Sequence, residues 1–188
     1  MANVSITKQR EAYARTNGKC IICGKTISKN EADWSVEHFV PRAIYKWVHD
    51  KNAEKIIESG DNIFIVHPRC NFKKDSSIPT NQLIKSMHAD KKTKDEMRDL
   101  YKNLEDSVGS YRAIKQSTLS GQDNKCALCG KKLTFNDSTL RRINNRKGRN
   151  KSNAMCLCER CNKKASSTET KNNMVNKSAK KIKNKVEP

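Results

Sequence analysis

An α+β fold, arranged as two small domains joined by a helical connector, is what three features of this 188-residue chain predict. Its eight cysteines cluster as close pairs near both ends of two separate stretches. Short β-branched runs such as Ile63 to Val66 lie between turn residues. Apolar residues at helical spacing dominate only the middle of the chain. Apolar residues make up 35% and aromatics 5%, poor material for one large core, so each half needs a staple. The expected boundaries are residues 1–79, a connector over 80–118, a second domain over 119–168 and a basic, disordered tail over 169–188.

Residues 5–16 read as a short helix, with Ser5 or Thr7 to cap it and Asn17-Gly18 to stop it. Cys20-Ile-Ile-Cys23-Gly24-Lys25 follows, a turn in which two thiolates converge and the glycine permits a tight return. Trp34 to Arg42 (W-S-V-E-H-F-V-P-R) has strand character that Pro41 must end. A polar helical piece runs to about Glu58-Ser59-Gly60, and Asp61-Asn62 turns the chain into the strand Ile63 to Val66. His67 to Lys74 (H-P-R-C-N-F-K-K) comes next, and Pro79-Thr80 marks a boundary. Leu83, Ile84, Met87, Met97, Leu100, Leu104 and Val108 then form the apolar stripe of the connector, whose plain reading is core packing.

The pattern then returns. N-G-K-C-I-I-C-G-K (Asn17 to Lys25) is echoed by D-N-K-C-A-L-C-G-K (Asp123 to Lys131), and D-N-I-F-I-V-H-P-R-C-N-F-K-K by S-N-A-M-C-L-C-E-R-C-N-K-K. Asn62 precedes Asn71 by 9 positions, as Asn153 precedes Asn162. This is an internal repeat. Cys126, Cys129, Cys158 and Cys161 make a C-x-x-C…C-x-x-C structural zinc signature; Cys20, Cys23, His67 and Cys70 make the matching set, with imidazole for one thiolate. Cys156 is left over, a small buried apolar residue or a competing ligand. A structural zinc contributes on the order of 10–16 kcal/mol of apparent binding free energy, which becomes folding free energy.

With E-H-F-V-P-R, D-N-I-F-I-V and C-N-F-K-K framed by C-x-x-C and H-x-x-C, the first copy resembles the HNH (ββα-metal) endonucleases over about residues 5–75. Over 120–165 the likeness extends only to the zinc frame and two asparagines. The resemblance implies two zinc-stapled ββα-metal-like domains, the second degenerate. It implies that His38 is the general base and that Glu37 and Asn71 hold a divalent ion. Asn62 would fix the loop and orient the histidine, while Arg42 and Lys74 would lie near the phosphate. Glu stands where the family usually has Asp, and Asn where it often has His. A carboxylate and an amide oxygen suit Mg2+ or Mn2+ better than zinc. The implied reaction is DNA phosphodiester hydrolysis leaving 5′-phosphate and 3′-hydroxyl ends. Asn71 equally suits a helix cap.

In the second copy T-L-R-R-I-N-N-R-K-G-R-N-K (Thr139 to Lys151) takes the place of the Glu-His strand. Arg141, Arg142, Arg146, Lys147, Arg149 and Lys151 are candidates for phosphate contact, with Asn144 or Asn145 near base edges; the plain reading is a solvated loop. The tail from Lys171 to Lys185 would add non-specific attraction. The net charge of +19 points to a polyanionic partner, double-stranded DNA first, and no segment suits a membrane. Clustered thiols without a signal-peptide core place the chain in a reducing cytoplasm. Two other readings stand beside the nuclease: a non-catalytic two-zinc nucleic-acid-binding protein, and a zinc protein embedded in a ribonucleoprotein. A homodimer, and a role in restriction, phage processing, homing or defence, are left open.

Overall fold

Helix α1 (Ile6–Arg15) begins where Ser5 accepts the Lys8 amide through its hydroxyl, and ends at two left-handed residues, Asn17 (φ 50°) and Gly18 (φ 66°). The computed structural model describes residues 4–74 and 80–166. Among these it is α+β, with eight α-helices and two separate two-stranded antiparallel sheets. The chain divides into two compact units, Met1–Gly109 and Ser110–Pro188. Residues 75–79 and the basic tail from Lys171 to Lys185 lie outside the described residues.

In the first unit the Cys20 knuckle closes on itself: the Cys20 amide donates to Lys25 O at 2.9 Å and the Gly24 amide to Cys20 O at 2.8 Å. Gly24 has φ 73°, which a side chain would strain. Strand β1 (Ser35–His38) pairs with β2 (Ile63–Val66), setting Glu37 opposite Phe64 and His38 opposite Ile63. β1 is shorter than the expected strand at both ends. Trp34 instead stacks on Tyr13 with ring centroids 4.7 Å apart, and the backbone of Val40 is taken by the side chain of Asn62. The polar piece after Pro41 is two helices, α2 (Ala43–Val48) and α3 (Lys51–Ile57). They are separated by left-handed His49 and restarted by Asp50, which accepts the Asn52 and Ala53 amides. Helix α4 (Pro68–Lys74) then packs on β1.

The stretch expected as a connector is helical: α5 (Asn81–Ser86), α6 (Lys91–Lys102) and α7 (Glu105–Ser120). The division between the units falls inside α7, so α5 and α6 belong to the first unit. The turn between them is tied in by the His88 amide donating to Ile21 O at 2.7 Å, and the start of α7 by Ser107 Oγ donating to Asp50 at 2.5 Å. Ile84, Met87, Met97, Leu104 and Val108 of the apolar stripe are buried, as are Ile21, Phe39, Ile57 and Phe64. No described helix is long and apolar enough to cross a membrane.

The second unit repeats the knuckle, with Cys126 donating to Lys131 O at 2.8 Å, Gly130 to Cys126 O at 2.9 Å, and Gly130 again at φ 73°. Strand β3 (Ser138–Arg142) pairs with β4 (Ala154–Cys158), followed at once by α8 (Glu159–Ser166). A pair of antiparallel strands followed by a helix therefore recurs in both units, with α2 and α3 inserted between the strands of the first.

Candidate metal sites and a candidate active site

Each knuckle faces the start of the helix that follows its second strand. In the first unit Cys20, Cys23, His67 and Cys70 bring their ligand atoms within 4.8 Å of one another; in the second Cys126, Cys129, Cys158 and Cys161 do the same. The Cys129 and Cys158 sulfurs are 3.8 Å apart, the edge of a tetrahedron with metal–sulfur bonds of about 2.3 Å. His67 Nε2 donates to Thr26 O at 3.1 Å, so the proton sits there and Nδ1 faces Cys23 Sγ at 3.4 Å. The Lys131 amide draws the Cys129 thiol down to about 7, whereas burial among neighbouring sulfurs pushes Cys70 up to about 12. Four such groups cannot all ionise together without a cation between them. The two clusters could therefore hold structural metal ions such as zinc. Cys156 lies outside the second cluster: it is fully buried, its thiol donates to Lys115 O at 3.8 Å, and burial raises it to about 11.

Glu37, His38, Arg42 and Asn71 line one open cavity of about 570 Å³, with Pro41 and Phe72 at its walls. Strand neighbours normally face opposite ways; Glu37 and His38 share the cavity because His38 is the last residue of β1, where the backbone departs. Beneath it, Asn62 is fully buried. Its Oδ1 accepts the Val40 amide at 2.8 Å, and its Nδ2 donates to Val40 O at 3.0 Å and Ile57 O at 2.8 Å. It lines no part of the cavity but holds the loop that carries Pro41 and Arg42. Asn71 is pinned by its nitrogen, which donates to Ser35 Oγ at 2.8 Å and Val36 O at 2.9 Å. With both amide protons engaged, its oxygen is the atom left to meet a ligand.

Lys74, expected near a phosphate, is instead 6% exposed and reaches Glu37, 3% exposed, with Nζ 2.5 Å from Oε1. Arg42 grips Glu58 through Nε at 2.6 Å and Nη2 at 2.5 Å, and the Tyr45 hydroxyl donates to the same carboxylate at 3.0 Å. The buried Nε2 of His38 lies 3.6 Å from Glu58 Oε2, too far to hydrogen-bond, and has no other partner. Burial first, then the positive charge of Arg42, lowers His38 to about 4 against the opposing pull of Glu58. The imidazole is thus neutral at pH 7. Glu58 and Tyr45 carry no motif signal: a glutamate ending a polar helix looks like any solvated residue, and only the α2–α3 turn brings it to His38.

In the second unit Asn153 repeats the work of Asn62. Its Oδ1 accepts the Asn144 amide at 2.8 Å and its Nδ2 donates to Asn144 O at 3.0 Å and Gly148 O at 2.7 Å. Arg141 Nη1 donates to Asn162 Oδ1 at 2.8 Å, and Arg142 Nη1 to Lys147 O at 3.1 Å. Asn144, expected near base edges, accepts the Arg146 amide at 2.9 Å. Asn145, Arg146, Lys147 and Lys151 are exposed, and Arg149 is half-buried. No protein family, curated protein or solved structure was found to match the chain.

Proposed function

We propose that the chain is a metal-dependent HNH-type DNA endonuclease whose active site lies in the first unit, the cluster of each unit being the structural zinc site of a ββα-metal fold. The observation that carries this reading is the shared cavity of Glu37, His38, Arg42 and Asn71. A carboxylate and an amide oxygen at one wall are the donor set of an oxygen-preferring ion such as Mg2+ or Mn2+. Bound there, it would polarise the phosphodiester and stabilise the leaving 3′ oxygen. The chain's own residues do the rest. A neutral His38 that keeps its proton on Nε2, the buried nitrogen 3.6 Å from the Glu58 carboxylate, has its lone pair on Nδ1. That atom takes the proton of the attacking water. Asn62 keeps the His38–Arg42 segment from moving. Glu58, held by Arg42 and Tyr45, stabilises the imidazolium as it forms.

Incubation of the purified protein with supercoiled plasmid and magnesium, followed by sequencing of the ends, tests this. Cleavage with 5′-phosphate ends is expected, and His38→Ala should abolish it while leaving DNA affinity within a few-fold. Unchanged nicking by that variant would remove His38 from the mechanism.

One observation favours a second reading, a two-zinc nucleic-acid binder without catalysis. Lys74 already neutralises Glu37, so the carboxylate has a counter-charge without an ion. The two readings part on whether magnesium binds the first unit at all.

A further inference from the structure

The repeat places one helix and one knuckle alike in both units. Gly18 donates to Tyr13 O at 3.0 Å as Asn124 donates to Leu119 O at 3.0 Å, and Ile27 to Gly18 O at 2.8 Å as Leu133 to Asn124 O at 2.7 Å. Arg10 lies three positions before Tyr13 and Gln116 three before Leu119, so Gln116 of α7 stands where Arg10 stands in α1. The strand ladders fix the far end of the arm that follows each knuckle. Val66 pairs with Ser35 and its counterpart Leu157 with Thr139, which also sets Arg141 level with Glu37. Ser35 follows Ile27 by 8 positions, whereas Thr139 follows Leu133 by only 6. The longer arm holds the short helical turn Glu31–Asp33, and Glu31 reaches back to α1 to accept Arg10 Nε at 2.6 Å. In the shorter arm the acid is Asp137, which accepts from Thr134 Oγ1 at 2.7 Å instead. A cavity of about 510 Å³ opens there, lined by Arg112, Ala113 and Gln116 from α7 and by Phe135 and Asn136 from the arm.

We infer that this cavity takes an unpaired base of a DNA strand, stacked on Phe135 and met at its edge by Gln116 and Asn136. The inference needs only a nucleic-acid partner, which both readings above share, and requires nothing of the first unit. Phe135 is half-buried, and Lys115 Nζ sits 4.4 Å from its ring centroid. Lys115 is 7% exposed and lines no part of the cavity, so it holds the ring from within and the stacking surface is fixed before a base arrives. Gln116 donates one amide hydrogen to Ser120 Oγ at 3.3 Å. Its carbonyl oxygen and the exposed amide of Asn136 supply the acceptor and donors that a base edge requires. In a duplex each base face is covered by its neighbours, so stacking on a side chain selects an unpaired base. The charge agrees: Arg112 lines the cavity, and the following stretch from Ser138 to Cys158 has no acidic residue. The volume lies within the roughly 300–1,000 Å³ of small-molecule sites.

The test uses the full chain carrying His38→Ala, without added divalent ion, so that nothing is cut. Zinc content and thermal melting are measured on every variant. Two labelled duplexes of one sequence are compared, one fully paired and one with a single-stranded gap of about four to six nucleotides containing 2-aminopurine. The parent should bind the gapped duplex about five-fold or more tighter and alter the 2-aminopurine emission. Phe135→Leu, which keeps apolar bulk and removes the ring, should abolish both effects. Its affinity for the paired duplex and its salt slope should match the parent's, because no charge changes. Gln116→Ala with Asn136→Ala should lower gapped-duplex affinity about two- to five-fold. Phe135→Trp keeps a stacking face and should keep the preference; it decides the matter if Phe135→Leu sheds zinc, and loss of the preference there with zinc retained overturns the site. Equal binding of the two duplexes by the parent, or a preference that survives Phe135→Leu, also overturns it. So does displacement of the gapped duplex by free dAMP as effectively as by unlabelled gapped duplex, which would assign the cavity to a mononucleotide. Any of these failures with paired-duplex binding intact leaves the nucleic-acid readings standing, whereas absence of binding to either duplex sinks them together with the site.

Discussion

Lys74 shows how one side chain decides what its neighbour can do. The buried Glu37–Lys74 pair has both partners almost fully removed from water, and removing one leaves an uncompensated charge. Lys74→Met should cost about 3–5 kcal/mol, read as a lowered unfolding midpoint. Added magnesium should raise the melting temperature of that variant more than that of the parent, since the ion then neutralises Glu37 alone. An equal response in both would deny Glu37 a role in binding the ion. Asn62 makes three buried hydrogen bonds, so Asn62→Ala should cost about 3 kcal/mol or more, each orphaned group contributing about 1–3 kcal/mol. His38 carries a pH signature. Its native value of about 4 lies below the ordinary 6.5, so the unfolded chain takes up the proton first. Its contribution is present above pH 6.5 and is lost as pH falls through that window towards 4. The melting temperature of the parent should drop more steeply over that range than that of His38→Gln; parallel slopes would contradict it.

At the level of elements, each unit contains a knuckle, two short strands and a helix that follows them, and two-stranded sheets of this length are marginal by themselves. The clusters that bring knuckle and helix together could hold a metal ion, and an ion there would supply cohesion that the strands lack. Cys158→Ala should halve the bound zinc per chain and unfold the strand–strand–helix of the second unit, while Asn71→Ala should leave both metal clusters loaded. Elemental analysis together with circular dichroism reads both outcomes. The knuckles were legible because a C-x-x-C-G-K turn is a local device with one geometry. The short length of β1 was not: a run of strand-forming residues says nothing of Asn62, 22 positions away from Val40, whose side chain captures that backbone and ends the ladder.

On the scale of the whole chain, two units share one scaffold, and among the described residues only the first has an acid, an imidazole and an amide around a cavity. The proposed nuclease reading, with its one candidate catalytic set per chain, predicts that nicked circles accumulate before linear DNA appears. Simultaneous appearance of both would require two chains acting together. The excess of 39 Lys and Arg over 20 Asp and Glu predicts binding that weakens steeply with salt.

Spacing alone determined the α+β class, the internal repeat and both sets of metal-ligand candidates, because each depends on residues a few positions apart or on a pattern stated twice; the grouping of Glu37, His38 and Asn71 came from the resemblance to the HNH endonucleases. The tertiary structure decided what surrounds them. It buried Lys74 against Glu37, brought Glu58 and Tyr45 to His38, placed α5 and α6 in the first unit, and set Arg141 where Glu37 would stand. Those outcomes are set by packing and strand register, which join residues far apart in the chain and leave no periodicity for a sequence to display.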